Sequence, residues 1–380
     1  MRCRCRSARF GDDVDTTGRL TSAHRDRALD LIRAAAVLLV MGTHLREAPP
    51  EAYGALLRGT IEALRRGGWV GVDVFFCLSG FLVAGLLFRE QAQSQRISGM
   101  RFLIRRGFKI YPAYYALLAA TWILIATGKY PIDPHRLVNS ALFIGNYVVG
   151  AWPHLWSLAV EEHFYILLVA SLVPWARRDA GLRRPFAALP WVVAVLGLLS
   201  LWGRAHQFDT LPGGWIATRE RTHLRIDALA FGACLAWLRQ YHRAVWLRVL
   251  SKGKWLLPSG VVLLTPPFIM SFEHHWFYPF GFTVYSLASA LILVGALSIH
   301  VPSAWFIRWL AVLGRRSYSV YLVHFPVEAL SGRVFSATTE WIEYAVFYGV
   351  ASIALGVLLA VIVEEPFLRL RDRLYPAGGH

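Results

Sequence analysis

Long apolar blocks separated by short Arg-rich stretches limit what this chain can fold into more than any other feature. Measured against about 20 residues per membrane-crossing helix, about ten blocks are long enough, or nearly long enough, to span a bilayer. They cover residues 28–45, 69–88, 108–127, 156–175, 186–203, 226–238, 255–272, 278–298, 314–330 and 344–363. Only 17% of the residues are charged, well below the usual share in soluble proteins. The pattern predicts an all-α, polytopic membrane helix bundle of about ten transmembrane helices.

A further apolar stretch, residues 137–152, could be an additional membrane crossing, and the charges of the neighbouring loops decide whether it is. Counting it as a crossing would place Arg177, Arg178, Arg183 and Arg184 outside, against the excess of Lys and Arg in cytoplasmic loops. We therefore expect a short re-entrant or interfacial segment there, and both termini in the cytoplasm of a multi-pass protein of the cell membrane.

The domain organisation is simple. Residues 1–26 are polar and mixed in charge, which predicts a disordered cytoplasmic tail; residues 27–375 form one membrane domain, and residues 376–380 a short second tail. Because the chain stops soon after its last apolar block, we expect it to act alone or with a separate partner, which favours a small acceptor.

The formal net charge of +16 does not indicate nucleic-acid binding, because the Arg residues lie between apolar blocks and form no basic stripe. Cytoplasmic loops beside an anionic membrane surface explain the charge. The cysteines show no metal-ligand spacing beyond Cys3-Arg4-Cys5 in the basic tail, so we expect no metal site.

Ionisable side chains gather at both ends of the predicted bundle, which is costly in a membrane unless they face a partner, a cavity or a pathway. The outer group is His44, Asp73, Glu161, Glu162, Arg225 and Asp227, and the inner group is Arg101, Arg105, Arg106 and Lys109, with Glu364 and Glu365 closing the last helix. The two groups differ in charge, so we expect them to have different tasks.

Arg33 and His44 are eleven residues apart, which returns to nearly the same helix face after a rise of roughly 16 Å. We expect this face to look into the bundle. The competing interpretation is that Arg33 extends to the cytoplasmic interface and His44 meets lipid headgroups.

Several motifs, in order and covering nearly the whole chain from Arg27 to Tyr375, resemble membrane acyltransferase family 3. They are Arg27, Asp30 and Arg33 before the run to His44; GVDVFFCLSGFL at 71–82; Arg101-Phe102, Arg105-Arg106 and Ile110-Tyr111-Pro112; WSLAVEEHFY at 156–165; RIDAL at 225–229; Leu313-Gly314 with SYSVYLVH at 317–324; and EEPF at 364–367. Two positions depart from the family pattern, Lys109 where Arg is usual and His163 where Gln is common. A Lys binds phosphate as a point charge and lacks the bidentate fork of Arg.

The resemblance implies transfer of an acetyl or longer acyl group from acyl-CoA, a co-substrate and not a resident cofactor, to a hydroxyl of a carbohydrate-containing acceptor. Such an acceptor would be a surface glycan, a glycolipid or a glycosylated metabolite. Its hydroxyl needs a base, and His44 is the candidate because an imidazole ordinarily titrates near neutrality. Glu161 or Glu162 would orient that imidazole.

The remaining roles follow from the same chemistry. Arg33 or Ser79 would donate to the developing oxyanion. Arg105, Arg106 and Lys109 suit the phosphates of acyl-CoA. The acceptor-binding candidates are Asp73, Arg225, Asp227, Tyr318 and His324.

Each assignment has a structural competitor. Asp73, Glu161 and Asp227 could instead pair with Arg residues inside the bundle, Tyr318 and His324 could be satisfied packing residues, and Glu364 and Glu365 are expected to pair with Arg residues of the inner leaflet. At the level of the whole protein, the same intramembrane charges would suit a proton-coupled transporter. A non-catalytic scaffold would leave His44 and Glu161 without a purpose.

Overall fold

A computed structural model describes residues 22–49, 54–182, 184–207, 218–270, 277–302, 304–335 and 340–376. Within these ranges the regular structure is helical and no strand occurs, which confirms the all-α prediction. Most of the predicted amino-terminal tail, residues 1–21, and residues 377–380 of the carboxyl-terminal tail lie outside the described residues.

The helices follow one another with short connections. They are α1 (Ser22–Thr43), α2 (Ala55–Gly67), α3 (Gly71–Ser94), α4 (Gly99–Ala126), α5 (His135–Ala141), α6 (Trp156–Arg178), α7 (Leu189–Gln207), α8 (Thr222–Tyr241), α9 (Arg243–Leu250), α10 (Gly253–Leu264), α11 (Pro266–Ile269), α12 (Phe277–Ala296), α13 (Trp305–Arg315), α14 (Ser317–Val334), α15 (Trp341–Leu359) and α16 (Glu365–Leu374). Short 3-10 turns, Gly68–Val70 and Pro153–Leu155, precede α3 and α6.

Six helical stretches of the described chain are long and apolar enough to cross a membrane, which confirms the prediction of membrane helices but not the count of about ten. They are Ala55–Ser94, Gly99–Ala126, Pro153–Arg178, Leu189–Gln207, Pro279–Ala296 and Trp341–Leu374. The predicted block 255–272 is divided into α10 and α11. Three other predicted blocks are not among the six. The helices α1 and α8 carry several charged residues among their apolar ones, and α14, in the block 314–330, carries Glu328 and Arg333.

The stretch 137–152 contains only the end of α5, a seven-residue helix, followed by turns. A helix of that length rises roughly 10 Å, too little to cross a bilayer. Phe143 lies in this stretch and stacks on Tyr114 of α4, with ring centroids 4.5 Å apart, so the segment packs against the bundle.

The most extensive helix pair is α3 with α8, and glycines make its close approach possible. A Cβ on Gly80 would overlap the carbonyl oxygen of Leu229, and a Cβ on Gly232 would overlap that of Cys77. Because each glycine faces the backbone of the other helix, the two helices lie nearer than larger residues would allow. The contact holds Asp73 of α3 beside Arg225 of α8.

At the carboxyl end, α15 does not run directly into α16. A five-residue π-helical turn, Ala360–Glu364, joins them, and such turns often occur at functional sites. The turn packs against α4 and buries the Glu364 side chain. It therefore brings an acidic residue to the basic start of α4.

The α3–α8 contact gives a direct test. We expect Gly80→Ala to lower the thermal unfolding midpoint in detergent, at a cost of about 1–3 kcal/mol, because the added methyl overlaps backbone that cannot move freely. Gly85→Ala is the matched control on the same helix, since its Cβ would lie 3.7 Å from the Cβ of Ala236, an ordinary contact. Equal midpoints for the two variants would contradict the packing described.

Candidate functional site

A cavity of about 540 Å³ runs between α1, α3, α4, α6 and α14. Val72 and Leu82 of α3 both line it, so it extends roughly 15 Å along that helix. Near the junction of α13 with α14 its wall is basic, with Arg33, Arg106, Lys109, Arg315 and Arg316 facing Glu364 and Glu365. Near the starts of α3 and α6 its wall is apolar and aromatic, with Val72, Phe75, Phe76, Leu158 and Tyr321.

A hydrogen-bond network lies in the wall of this cavity, where Ser79, Arg106 and Glu161 line it. The Tyr165 hydroxyl donates to Oε2 of Glu161 at 2.5 Å, so it accepts from Ser79 Oγ at 2.7 Å and from Arg106 Nη2 at 2.7 Å. The Arg106 guanidinium also lies over the Tyr165 ring, 4.7 Å from its centroid. Tyr165 is not among the site residues predicted from the sequence, although its position four residues after Glu161 on one helix indicates contact.

Neither predicted carboxylate orients His44, which corrects that expectation. Glu161 bonds Tyr165, and Glu162 accepts a hydrogen bond from the Tyr111 hydroxyl at 2.9 Å. Its second oxygen, Oε1, is buried without a hydrogen-bond partner. Both glutamates line the large cavity, so they remain close to any molecule bound there.

The three predicted phosphate-binding residues meet around two adjoining cavities. A second cavity of about 510 Å³ is lined by Arg89, Arg101, Arg105 and Arg371, and it shares Arg106, Lys109 and Leu368 with the first. Arg105 pairs with Asp372 at 3.2 Å and donates to the carbonyl oxygen of Tyr375. Lys109 pairs with Glu364, whose other oxygen accepts from Ser319 Oγ at 2.8 Å.

The two terminal glutamates are paired with cations, but only Glu365 has the arginine partners that were expected, and the partner of Glu364 is a lysine. Glu364 contacts Lys109, and Glu365 contacts Arg316 at 3.1 Å and Arg369 at 3.8 Å. All of these side chains except Arg369 line the basic end of the large cavity.

His44 lies in a cluster of three histidines. Its ring centroid is 5.2 Å from that of His324, and His324 lies 4.9 Å from His154. His154 donates from Nε2 to the carbonyl oxygen of Leu322 at 3.1 Å. His324 donates from Nδ1 to that of Tyr321 at 2.5 Å. Nδ1 of His154 and Nε2 of His324 have no hydrogen-bond partner.

His154 is not among the site residues predicted from the sequence. It occupies the 3-10 turn before α6. Its position two residues before the WSLAVEEHFY motif could have indicated that it belongs to the site.

No group of three His, Cys, Asp or Glu residues in the described chain is placed to hold a metal ion.

A small cavity of about 50 Å³ lies beside this cluster. Its walls include His44, His154, Trp69, Trp156, Arg219 and Arg225. It shares Val72 and Tyr321 with the large cavity. The Tyr321 hydroxyl donates to the carbonyl oxygen of His154 at 2.8 Å and lies 2.6 Å from Ser157 Oγ. Tyr321 and Val72 therefore form a thin wall between the two cavities.

Arg33 and His44 do not meet, which corrects the idea that Arg33 acts beside the base. Arg33 lines the large cavity and contacts Asp30 at 2.6 Å, and Asp30 also contacts Arg315 at 3.2 Å. Ser79 likewise lines only the large cavity. The rise of roughly 16 Å along α1 separates the two residues although they share a face.

The outer aspartates form buried ion pairs, which favours their structural interpretation over acceptor binding. Asp73 contacts Arg225 at 2.7 Å, with side chains 0% and 1% exposed. Asp227 contacts Arg204 at 2.9 Å, with side chains 1% and 0% exposed. The sequence did not predict the buried position of Arg204, because an Arg near the end of an apolar block usually lies at the membrane–water interface.

Tyr318 and His324 lie apart from the two aspartates. Tyr318 lines the large cavity, donates to the carbonyl oxygen of Ile110 at 2.6 Å and has Lys109 Nζ 5.8 Å from its ring centroid. His324 is fully buried in the histidine cluster. The structure therefore does not bring the five acceptor candidates together.

Comparison with known proteins identifies the family. Residues 26–361 match the family model described as an acyltransferase domain. O-acetyltransferase OatA of Staphylococcus aureus strain NCTC 8325 / PS 47 is 28% identical over 286 residues, which is 69% of this chain and 46% of that protein. A putative O-acetyltransferase of Staphylococcus aureus strain COL is 28% identical over 327 residues, 79% of this chain and 50% of that protein.

The chain thus spans about half the length of the curated relatives it matches. No solved structure matches it. The matched range contains all the residues that line the small cavity and most of those that line the large one, while Glu364 and Glu365 lie just beyond its end. The chain therefore belongs to membrane acyltransferase family 3, the family that its motifs resemble.

Proposed function

We propose that this protein is an integral membrane O-acyltransferase that moves an acetyl group from acetyl-CoA to a hydroxyl of a carbohydrate-containing acceptor. The observation that carries the proposal is the pair of cavities sharing Tyr321 and Val72, one with a basic end and the other containing His44. The relatives named O-acetyltransferases support the acetyl group. More broadly, the proposed donor is an acyl-CoA whose acyl group is acetyl or longer.

The donor fits the large cavity by charge and by shape. Arg106 and Lys109 line both basic cavities, so they are positioned for the phosphates of CoA. Asp372 and Glu364, the partners of Arg105 and Lys109, would yield to those phosphates. The apolar walls of the large cavity then suit the pantetheine arm, which would carry the thioester towards Tyr321.

The chemistry at the histidine cluster is direct transfer. The acceptor oxygen attacks the thioester carbonyl carbon, whose π electrons move onto its oxygen, while His44 takes the hydroxyl proton. The carbonyl re-forms as the carbon–sulfur bond breaks. His44 returns its proton to the departing thiolate, so the products are an acetyl ester and free CoA.

The acceptor side of the proposal uses the predicted topology. With about ten membrane crossings and cytoplasmic termini, His44 faces the outer side of the bacterial cell membrane and the basic cavities face the cytoplasm. Acetyl-CoA would then enter from inside, and a surface glycan, glycolipid or glycosylated metabolite would approach from outside. This arrangement accounts for a long cavity that is basic at only one end.

Removing the base tests the reaction. In purified protein reconstituted in bilayers with a mixed glycan and glycolipid pool, we expect His44→Ala to lower acceptor-dependent release of CoA from acetyl-CoA by about 10²- to 10⁴-fold. His135→Ala is the control, because His135 begins α5 and lines neither of the two cavities assigned to donor and catalysis.

If folded His44→Ala and the wild type release CoA equally fast, His44 is not the general base. No thioester turnover by the wild type with any acyl length or acceptor would instead favour the proton-coupled transporter.

Donor binding gives a second test. We expect Lys109→Gln to raise the KM for acetyl-CoA by about tenfold, the loss of one charge-assisted hydrogen bond. Its KM for acetyl-pantetheine, which lacks the phosphates, should not change. Lys254→Gln is the matched control, since Lys254 lies near Trp255, outside both basic cavities. A KM that rises equally for both donors would contradict phosphate binding at Lys109.

A further inference from the structure

Two buried arginines with similar surroundings differ in one respect. Arg204 and Arg225 are 0% and 1% exposed, and each pairs with one aspartate. Arg204 is fully satisfied, because its guanidinium donates to carbonyl oxygens of Pro279 and Leu224 as well as to Asp227 and Thr283.

Arg225 is not satisfied in this way. Its Nη2 donates to Asp73 at 2.7 Å, while Nε and Nη1 are buried with no hydrogen-bond partner. A guanidinium stays charged at any physiological pH, and buried charged donors without acceptors are strongly unfavourable. The unused donors therefore indicate that an acceptor group binds here during function.

The position of Arg225 shows which group that is. Arg225 lines the small cavity together with His44 and His154, whereas Arg204 lines neither that cavity nor the large one. One face of the guanidinium lies 3.8 Å from the centroid of the Phe282 ring, and Asp73 fixes one of its ends. Its remaining N–H groups are thus held in a fixed plane at the wall of the cavity that contains the base.

We propose that Arg225 is a catalytic residue whose Nε and Nη1 donate to the oxyanion formed when the acceptor hydroxyl attacks the thioester. The inference rests on the proposed acyl transfer and deepens it. As the oxygen–carbon bond forms, the carbonyl electrons move onto the oxygen that Arg225 holds, and His44 takes the proton. The electrons return when the carbon–sulfur bond breaks, so Arg225 is unchanged at the end of the cycle.

This assignment replaces the two oxyanion donors favoured by the sequence. Arg33 and Ser79 line the large cavity and not the small one. Arg219 also lines the small cavity, but it pairs with Glu220 at 3.0 Å and is 24% exposed, in contrast to the buried Arg225. Asp73 acts as a positioning residue, because it holds Nη2 and orients the other two donors.

The test compares Arg225→Lys with Arg204→Lys in the full chain reconstituted in bilayers. For Arg225→Lys we expect kcat to fall by about 10²- to 10³-fold, as when one oxyanion donor is removed, with the KM for acetyl-CoA and the affinity for CoA unchanged. For Arg204→Lys we expect a lower thermal midpoint and an unchanged kcat per folded molecule. Arg225→Gln, which removes the charge as well as the planar guanidinium, should lower kcat at least as far as Arg225→Lys.

The outcomes separate the two proposals. Wild-type turnover with an unchanged kcat in Arg225→Lys would overturn this inference and leave the acyl transfer intact. A lower thermal midpoint with an unchanged kcat per folded molecule in both Arg225 variants would also overturn it, because Arg225 would then serve the fold as Arg204 does. Failure of the wild type to turn over any thioester would count against the acyl transfer itself.

Discussion

The close approach of α3 and α8 is the constraint on which the rest of the site depends. Gly80 and Gly232 each face the backbone of the opposite helix, so the two helices are fixed at short range. That distance lets Asp73 reach Arg225 across the pair. The same contact sets the wall of the small cavity, since Val72 of α3 and Arg225 of α8 both line it.

In the proposed function, the large cavity binds the charged donor and the small cavity contains the groups that transfer the proton. A phosphate-bearing donor needs many cations that can exchange partners, and the basic end of the large cavity has cations paired with Glu364 and Glu365. Proton transfer needs few groups in fixed positions, and the histidine cluster provides them. Tyr321, bonded to the backbone of His154, is the residue where the two regions meet. In the proposed reaction, the departing thiolate would therefore lie close to His44.

The sequence predicted the all-helical membrane architecture because hydropathy is a property of whole segments. It did not predict which charges would meet, because that depends on helix packing. Arg33 and His44 share a helix face yet line different cavities. Glu161 was expected beside His44 and instead bonds Tyr165 of its own helix. Arg204, placed near the end of an apolar block, is fully buried because two neighbouring helices, α8 and α12, supply its acceptors.

A structure of the protein with a thioether analogue of acetyl-CoA, which cannot transfer its acetyl group, would test the central claim most directly. The account predicts the phosphates beside Arg106 and Lys109, the pantetheine arm along the large cavity, and the carbonyl oxygen between His44 and Arg225. Phosphates bound at the opposite end of the molecule, or an acetyl group that stays in the large cavity away from His44, would contradict it.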